Sequence, residues 1–203
     1  MAITLHEDDL PAGFEPGPAI AVDTETMGLR PARDRLCLVQ LSTGDGNALL
    51  LQVRSGRPAP ARLAAVLADP AVLKIFHFAR FDIATLHNAL GVMTGPVYCT
   101  KIASKLARTY TDRHGLKDLC RELLRLELSK EQQSSDWGAD MLSQEQQTYA
   151  ATDVLYLHKL RDKLDMMLAR EGRTALAEAC FRFLPTRALL DLGGFEDLDI
   201  LAH

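Results

Sequence analysis

The sequence has 203 residues, 47% of them hydrophobic and 25% charged, the balance of a globular chain long enough for one sizeable core. A net charge of −4 and a pI near 5.9 argue against a protein that grips long nucleic acid through many phosphates, but not against a nuclease with a short substrate, since bound metal ions supply positive charge locally. No run of about 18 apolar residues exists to span a bilayer, and Met1 to Asp9 lacks a basic-then-apolar export pattern, so a soluble cytoplasmic protein is expected.

Residues 1–18, carrying Pro11, Gly13, Pro16, Gly17 and Pro18, read as irregular chain after a short edge strand. Strands are predicted over 20–24, 36–42 and 48–53. The turn-rich Arg30 to Asp34 separates the first two, and Thr43-Gly44-Asp45-Gly46-Asn47 suits a hairpin between the others, so the sheet starts antiparallel. Helical periodicity over 61–67 stops at Asp69-Pro70, an apolar strand at 72–77 runs into a helix at 80–90, and 97–100 adds one more strand. From Lys101 onward the pattern is nearly all helical, near 101–109, 115–124, 144–169 and 172–183. The fold class is α/β, a mixed central sheet flanked by helices, in one domain over residues 1–203 without internal repeats. Cys37, Cys99, Cys120 and Cys180 are scattered, with no C-x-x-C pair to suggest zinc or redox chemistry, and read as buried free thiols.

Three places carry candidate chemistry. In Ala21-Val22-Asp23-Thr24-Glu25-Thr26-Met27-Gly28-Leu29, alternation along a strand puts the Asp23 and Glu25 carboxylates side by side, an arrangement that suits a cation such as Mg²⁺ or Mn²⁺ and that also fits a strand entering a polar turn. Asp82 stands in the first turn of a helix after a central strand, where ligands gather at the strand's carboxyl end and where an acid also complements the helix dipole. His77 and Arg80 flank it as candidate substrate contacts, readable also as a satisfied strand-end histidine and a surface cation. In Tyr149-Ala150-Ala151-Thr152-Asp153, a spacing of four aligns hydroxyl and carboxylate on one helical face, beside the apolar stripe of Ala150, Val154, Leu157 and Leu160. Asp153 there either meets a metal ion or pairs with Lys159 or Arg161.

Taken together, Asp23-x-Glu25, Asp82 and Tyr149-x-x-x-Asp153 resemble the three motifs of the DEDD 3′–5′ exonucleases, in the tyrosine-bearing branch that includes ribonuclease D. The likeness continues through Tyr98 to Leu160, in Lys101 to Leu106 and in Leu128 to Trp137. Ribonuclease D proper goes on into helical C-terminal domains, for which the residues up to His203 leave no room. Phe76 to Asp82, Thr109 to Lys117 and Cys180 to Arg187 resemble the nanoRNase C family, a short group within this branch. The resemblance implies a ribonuclease H-like fold, an exoribonuclease that cleaves short oligoribonucleotides and dinucleotides, and a ring-shaped homo-octamer. It also implies two divalent cations about 4 Å apart, one activating water and one stabilising the departing 3′ oxygen. Asp23 would bridge both ions, Glu25 and Asp153 would complete one site and Asp82 the other, and Tyr149 would position the attacking water. Backbone near Thr24 and Glu25 would meet the 3′-terminal ribose, and Leu29 would either wedge between two bases or be a buried core leucine.

Short-substrate selectivity needs a cap on the 5′ end, and Arg108, Arg113, His114 and Lys117, with Tyr110 among them, form either that cap or a solvated loop. DNA, or longer structured RNA, is the alternative substrate. The tail 184–203 mixes Leu189, Leu190, Leu192, Phe195, Leu198 and Ile200 with acids, too apolar for a free terminus, and either folds back on the core or packs on a neighbouring subunit.

Overall fold

The structure, a computed structural model, describes residues 2–128 and 135–202. Its six strands are β1 (Ile3–Glu7), β2 (Ala19–Thr26), β3 (Leu36–Ser42), β4 (Ala48–Gln52), β5 (Leu73–Phe76) and β6 (Val97–Cys99), arranged in one sheet in the order β1-β4-β3-β2-β5-β6. Every residue of β3 and β4 is buried, as expected of strands covered on both faces. Gly44 and Gly46, at φ +87° and +86°, turn the chain between them. β2 with β3 and β3 with β4 pair antiparallel, whereas β1 joins β4, β5 joins β2 and β6 joins β5 in parallel.

The pairing of β2 opens the site. Ala21 to Thr26 are paired with β3, but β5 accompanies β2 only from Ala19 to Ala21. Residues 22–26 therefore run past the end of β5, where the chain leaves the sheet through His77 and Phe78 (φ +72°) into helix α2 (Ala79–Leu90). A cleft at this point, where the sheet changes from antiparallel to parallel, is where open α/β sheets gather ligands.

The other helices are α1 (Ala61–Ala68), α3 (Thr100–Ala107), α4 (Leu116–Leu119), α5 (Gln144–Leu155), α6 (Leu157–Arg170) and α7 (Thr174–Leu190). Three differ from the periodicity. The helix expected over 144–169 is two, broken at Tyr156 (φ −107°, ψ −5°); the apolar stripe continues across the break because both pieces pack on the same core. Residues 115–124 are α-helical only to Leu119 and continue as a π-helical turn. The last helix does not end near 183: it carries Pro185 inside it and runs to Leu190, so residues 184–190 are its final turns, with Leu184 and Ala188 buried. A π-helical turn at Asp191–Phe195 follows, held by Arg80 and Arg187 on Asp191. Ser143 opens α5 with a reciprocal capping box to Gln146, and α5 then packs across β2, β3 and β4. Cys37, Cys99 and Cys120 are buried and Cys180 partly so, all as free thiols. No helix among the described residues is long and apolar enough to cross a membrane.

Candidate active site

Asp23 and Glu25 leave β2 on one face, and α5 brings Asp153 down onto it: carboxylate oxygens of the three lie within 4.8 Å of one another. Asp82 is buried in the first turn of α2 and accepts a 2.7 Å hydrogen bond from the Thr24 hydroxyl. Neither Lys159 nor Arg161 pairs with Asp153; Arg161 is on Asp162. No ion pair among the described residues involves any of the four acids.

Crowding of this kind holds protons on. Burial first, then the charges of Asp82, Asp153 and Glu25, pushes the Asp23 carboxyl well above the usual carboxylate range, although part of its surface faces the cleft. Burial and the neighbouring Asp153 and Asp82 raise Glu25 to about 9. Asp82 is raised to about 7 by burial, against the lowering effect of the Thr24 hydrogen bond, and burial raises Asp153 to about 7. An acid cluster without a cationic side chain is unfavourable by itself and becomes favourable when a hard divalent cation takes oxygen ligands from it. The donor set fits Mg²⁺.

Asp23, Glu25 and Asp153 lie at the base of a cleft of about 1010 Å³, whose walls include Leu29, His77, Phe81, Lys117, Trp137 and Tyr149, whereas the buried Asp82 does not line it. Tyr149 sits one turn before Asp153 with its ring tilted against Trp137 (centroids 6.2 Å apart). Burial, then the charges of Asp153, Glu25 and Asp23, raises its hydroxyl, which remains protonated and is a donor rather than a base. His77 is lowered to about 3 by burial and then by Lys101, and bonds to Thr100 Oγ1 at 2.8 Å, so it offers the cleft a neutral imidazole. Leu29 is 88% exposed on the cleft wall, not a core leucine. Its loop is held by the Asp34 carboxylate, which accepts from the Arg30 amide at 2.9 Å and from Arg33. A Cβ on Gly28 would run into that carboxylate, so a side chain there would displace Asp34.

The expected 5′ cap is placed differently. Arg80, a candidate substrate contact outside that cap, also turns away from the cleft, into a two-pronged pair with Asp191 at 2.5 and 2.7 Å. Arg108 is wholly buried and donates to Ser104 Oγ, the Arg113 carbonyl and Glu122, so its guanidinium is committed to structure. His114 bonds to Ser104 at 2.8 Å and Arg113 is exposed; neither lines the cleft. Of that group only Lys117 does. Residues 129–134 of the stretch from Leu128 to Trp137 lie outside the described residues. Sequence reasoning passed over Phe81 and Trp137 as cleft walls, and Gln40, fully buried beside Asp23. Gln40 had a legible signal, a lone amide in the apolar run Leu36 to Leu41.

The 3′–5′ exonuclease family matches residues 8–169. NrnC of Brucella melitensis, solved with bound Mg²⁺, is 55% identical and superposes with a TM-score of 0.96 over 100% of both chains. The chain belongs to the 3′–5′ exonuclease family, in its nanoRNase C branch. The same Brucella NrnC bound to pGG is 56% identical, with a TM-score of 0.97 over 100% of this chain and 99% of that one. Ribonuclease D of Acidiphilium cryptum is 35% identical over 156 residues, 77% of this chain and 39% of the relative. The chain spans about two fifths of the length of the curated ribonuclease D relatives that it matches first. This nanoRNase C branch member has the ribonuclease D-like mixed sheet with helices around it.

Proposed function

We propose that this protein removes nucleotides hydrolytically from the 3′ end of very short oligoribonucleotides, dinucleotides included, leaving 5′-phosphomonoesters. The observation that carries the reading is the meeting of Asp23, Glu25 and Asp153 at the floor of the cleft, with the buried Asp82 bonded to Thr24 between the two β2 acids. A neighbour 56% identical over the whole chain was solved bound to pGG, which supports a short substrate. The net charge of −4 suits a ligand with few phosphates to neutralise.

Asp23, Glu25, Asp82 and Asp153 are read as the ligands of two divalent cations, Mg²⁺ or Mn²⁺. When bound, such a pair supplies the charge that activates water and stabilises the departing 3′ oxygen. The protein's own groups do the rest. Tyr149, protonated throughout the working range, orients the attacking water by donating to it or to the phosphate. Thr24 holds the Asp82 carboxylate in place through its hydroxyl. The exposed Leu29 and the neutral His77 face the substrate across the cleft, and Lys117 replaces Arg108 as the cation nearest to a 5′ phosphate. Exposed Phe183, Leu189, Phe195, Leu198 and Leu201 at the C-terminal end support packing on further copies, read as a homo-octamer. Free thiols suit a reducing cytoplasm.

A time course on 5′-labelled RNAs of two to twenty nucleotides and on matched DNAs, with Mg²⁺, Mn²⁺ or EDTA, tests this. The expected result is metal-dependent turnover that favours the dinucleotide and RNA. Turnover in EDTA, or equal rates on the dinucleotide and the 20-mer, would overturn it.

A further inference from the structure

Gln40 lies in the middle of β3, and its side chain is completely buried. Neither its Nε2 nor its Oε1 has a hydrogen-bond partner. Buried amides are nearly always paired, so an orphan with both ends empty needs a reason. The register supplies one. Gln40 is the cross-strand partner of Asp23 in the antiparallel β2–β3 pair, and directly opposed residues project from the same face with Cβ atoms about 5 Å apart. That face is the one on which α5 delivers Asp153, and Ala150 and Ala151 in α5 are buried small residues that let helix and sheet approach closely. On its other side Gln40 is opposed by Leu50, which offers no polar group. Asp82 has the Thr24 hydroxyl behind it; among the described residues no hydrogen bond brings a side-chain donor to Asp23.

We propose that Gln40 is a positioning residue for the metal site: with a divalent cation bound, its amide N–H donates to the Asp23 carboxylate and fixes the orientation in which Asp23 meets the cation. The inference rests on the reading of the four acids as a cation site. An ionised carboxylate accepts only, so the donor end of the amide is the complementary group. Donors behind a metal ligand set its orientation, and losing one weakens binding by about 10- to 100-fold. Without the cation the amide is a destabilising element, which gives the two functions of the position opposite signs.

The test is calorimetric titration of wild type and Gln40→Met with Mn²⁺, together with thermal midpoints in EDTA. Methionine keeps the chain length and removes both polar ends; Gln40→Leu repeats the comparison with a shorter side chain of similar volume if methionine does not fit. The expected result is Mn²⁺ binding weakened by about 10-fold or more, with an EDTA midpoint equal to or above that of wild type. Mn²⁺ affinity within twofold of wild type in a folded variant would overturn the role of Gln40. A lowered EDTA midpoint in both variants would also overturn it, because the amide would then be serving the apo fold. Wild type that binds no Mn²⁺ fails the cation-site reading itself, a different result from either.

Discussion

Asp153→Asn is expected to make the metal-free protein more stable and to remove its response to metal. Asp153 is held at about 7 in the fold, while the ordinary value is 3.8. A carboxyl raised on folding favours the protonated state, so its stabilising contribution is complete below the unfolded value and is lost as pH rises through about 7. At pH 8 the difference opposes folding by about 4 kcal/mol. The unpaired asparagine amide returns about 1–2 kcal/mol. A net gain of about 2 kcal/mol remains, or about 4–8 °C in midpoint for a chain of this size. Wild type should instead gain about 2.7 kcal/mol from Mn²⁺ at 100 times its Kd. Scanning fluorimetry in EDTA and in Mn²⁺, at pH 8 and pH 5, measures both, and the advantage of the variant in EDTA should shrink at pH 5. A lower EDTA midpoint than wild type at pH 8, or a Mn²⁺ response as large as that of wild type, would refute the reasoning.

Tyr149→Phe keeps the ring against Trp137 and removes the hydroxyl, so kcat should fall by about 100-fold with Mn²⁺ affinity unchanged, as read by single-turnover hydrolysis and calorimetry. Because Asp82 and Asp153 hold protons up to about 7, apparent Mn²⁺ affinity should strengthen from pH 6 to pH 8 with proton release, measured by titration in buffers of different ionisation enthalpy. Arg108→Met removes a buried guanidinium from Ser104, Arg113 and Glu122 and, because Glu122 is partly exposed and keeps Arg121 nearby, should cost about 1–3 kcal/mol in urea unfolding. It should leave the ratio of dinucleotide to 10-mer turnover unchanged; a changed ratio would restore Arg108 to the cap. Lys117→Ala should lower that ratio without loss of stability.

Local signals were enough for most of the elements and for the place of each candidate acid within them. Alternation in Ala19 to Thr26 places Asp23 and Glu25 on one face whatever surrounds the strand, and a four-residue step on a helix aligns Tyr149 with Asp153 in the same way. The largely apolar runs of β3 and β4, interrupted in β3 by Gln40, fit strands covered on both sides. The break at Tyr156 and the passage of α7 through Pro185 were not legible, because packing on the core overrides what a short window of sequence prefers.

Charge and residue type could not say which cations face the substrate. Arg80, Arg108 and Arg113 read alike along the chain, yet Arg80 finds Asp191 more than a hundred residues away and Arg108 is enclosed by a loop and the turn that carries Glu122. Such partners are chosen by how helices pack, a long-range outcome that spacing does not encode. The same holds for Gln40, whose place beside Asp23 depends on strand register. What the sequence alone determined was the set of groups able to hold a divalent cation, because alternation and helical pitch are local. Their meeting at one point, and the loss of the arginines from it, were decided by tertiary structure, since contacts between distant segments exist only once the core has closed around them.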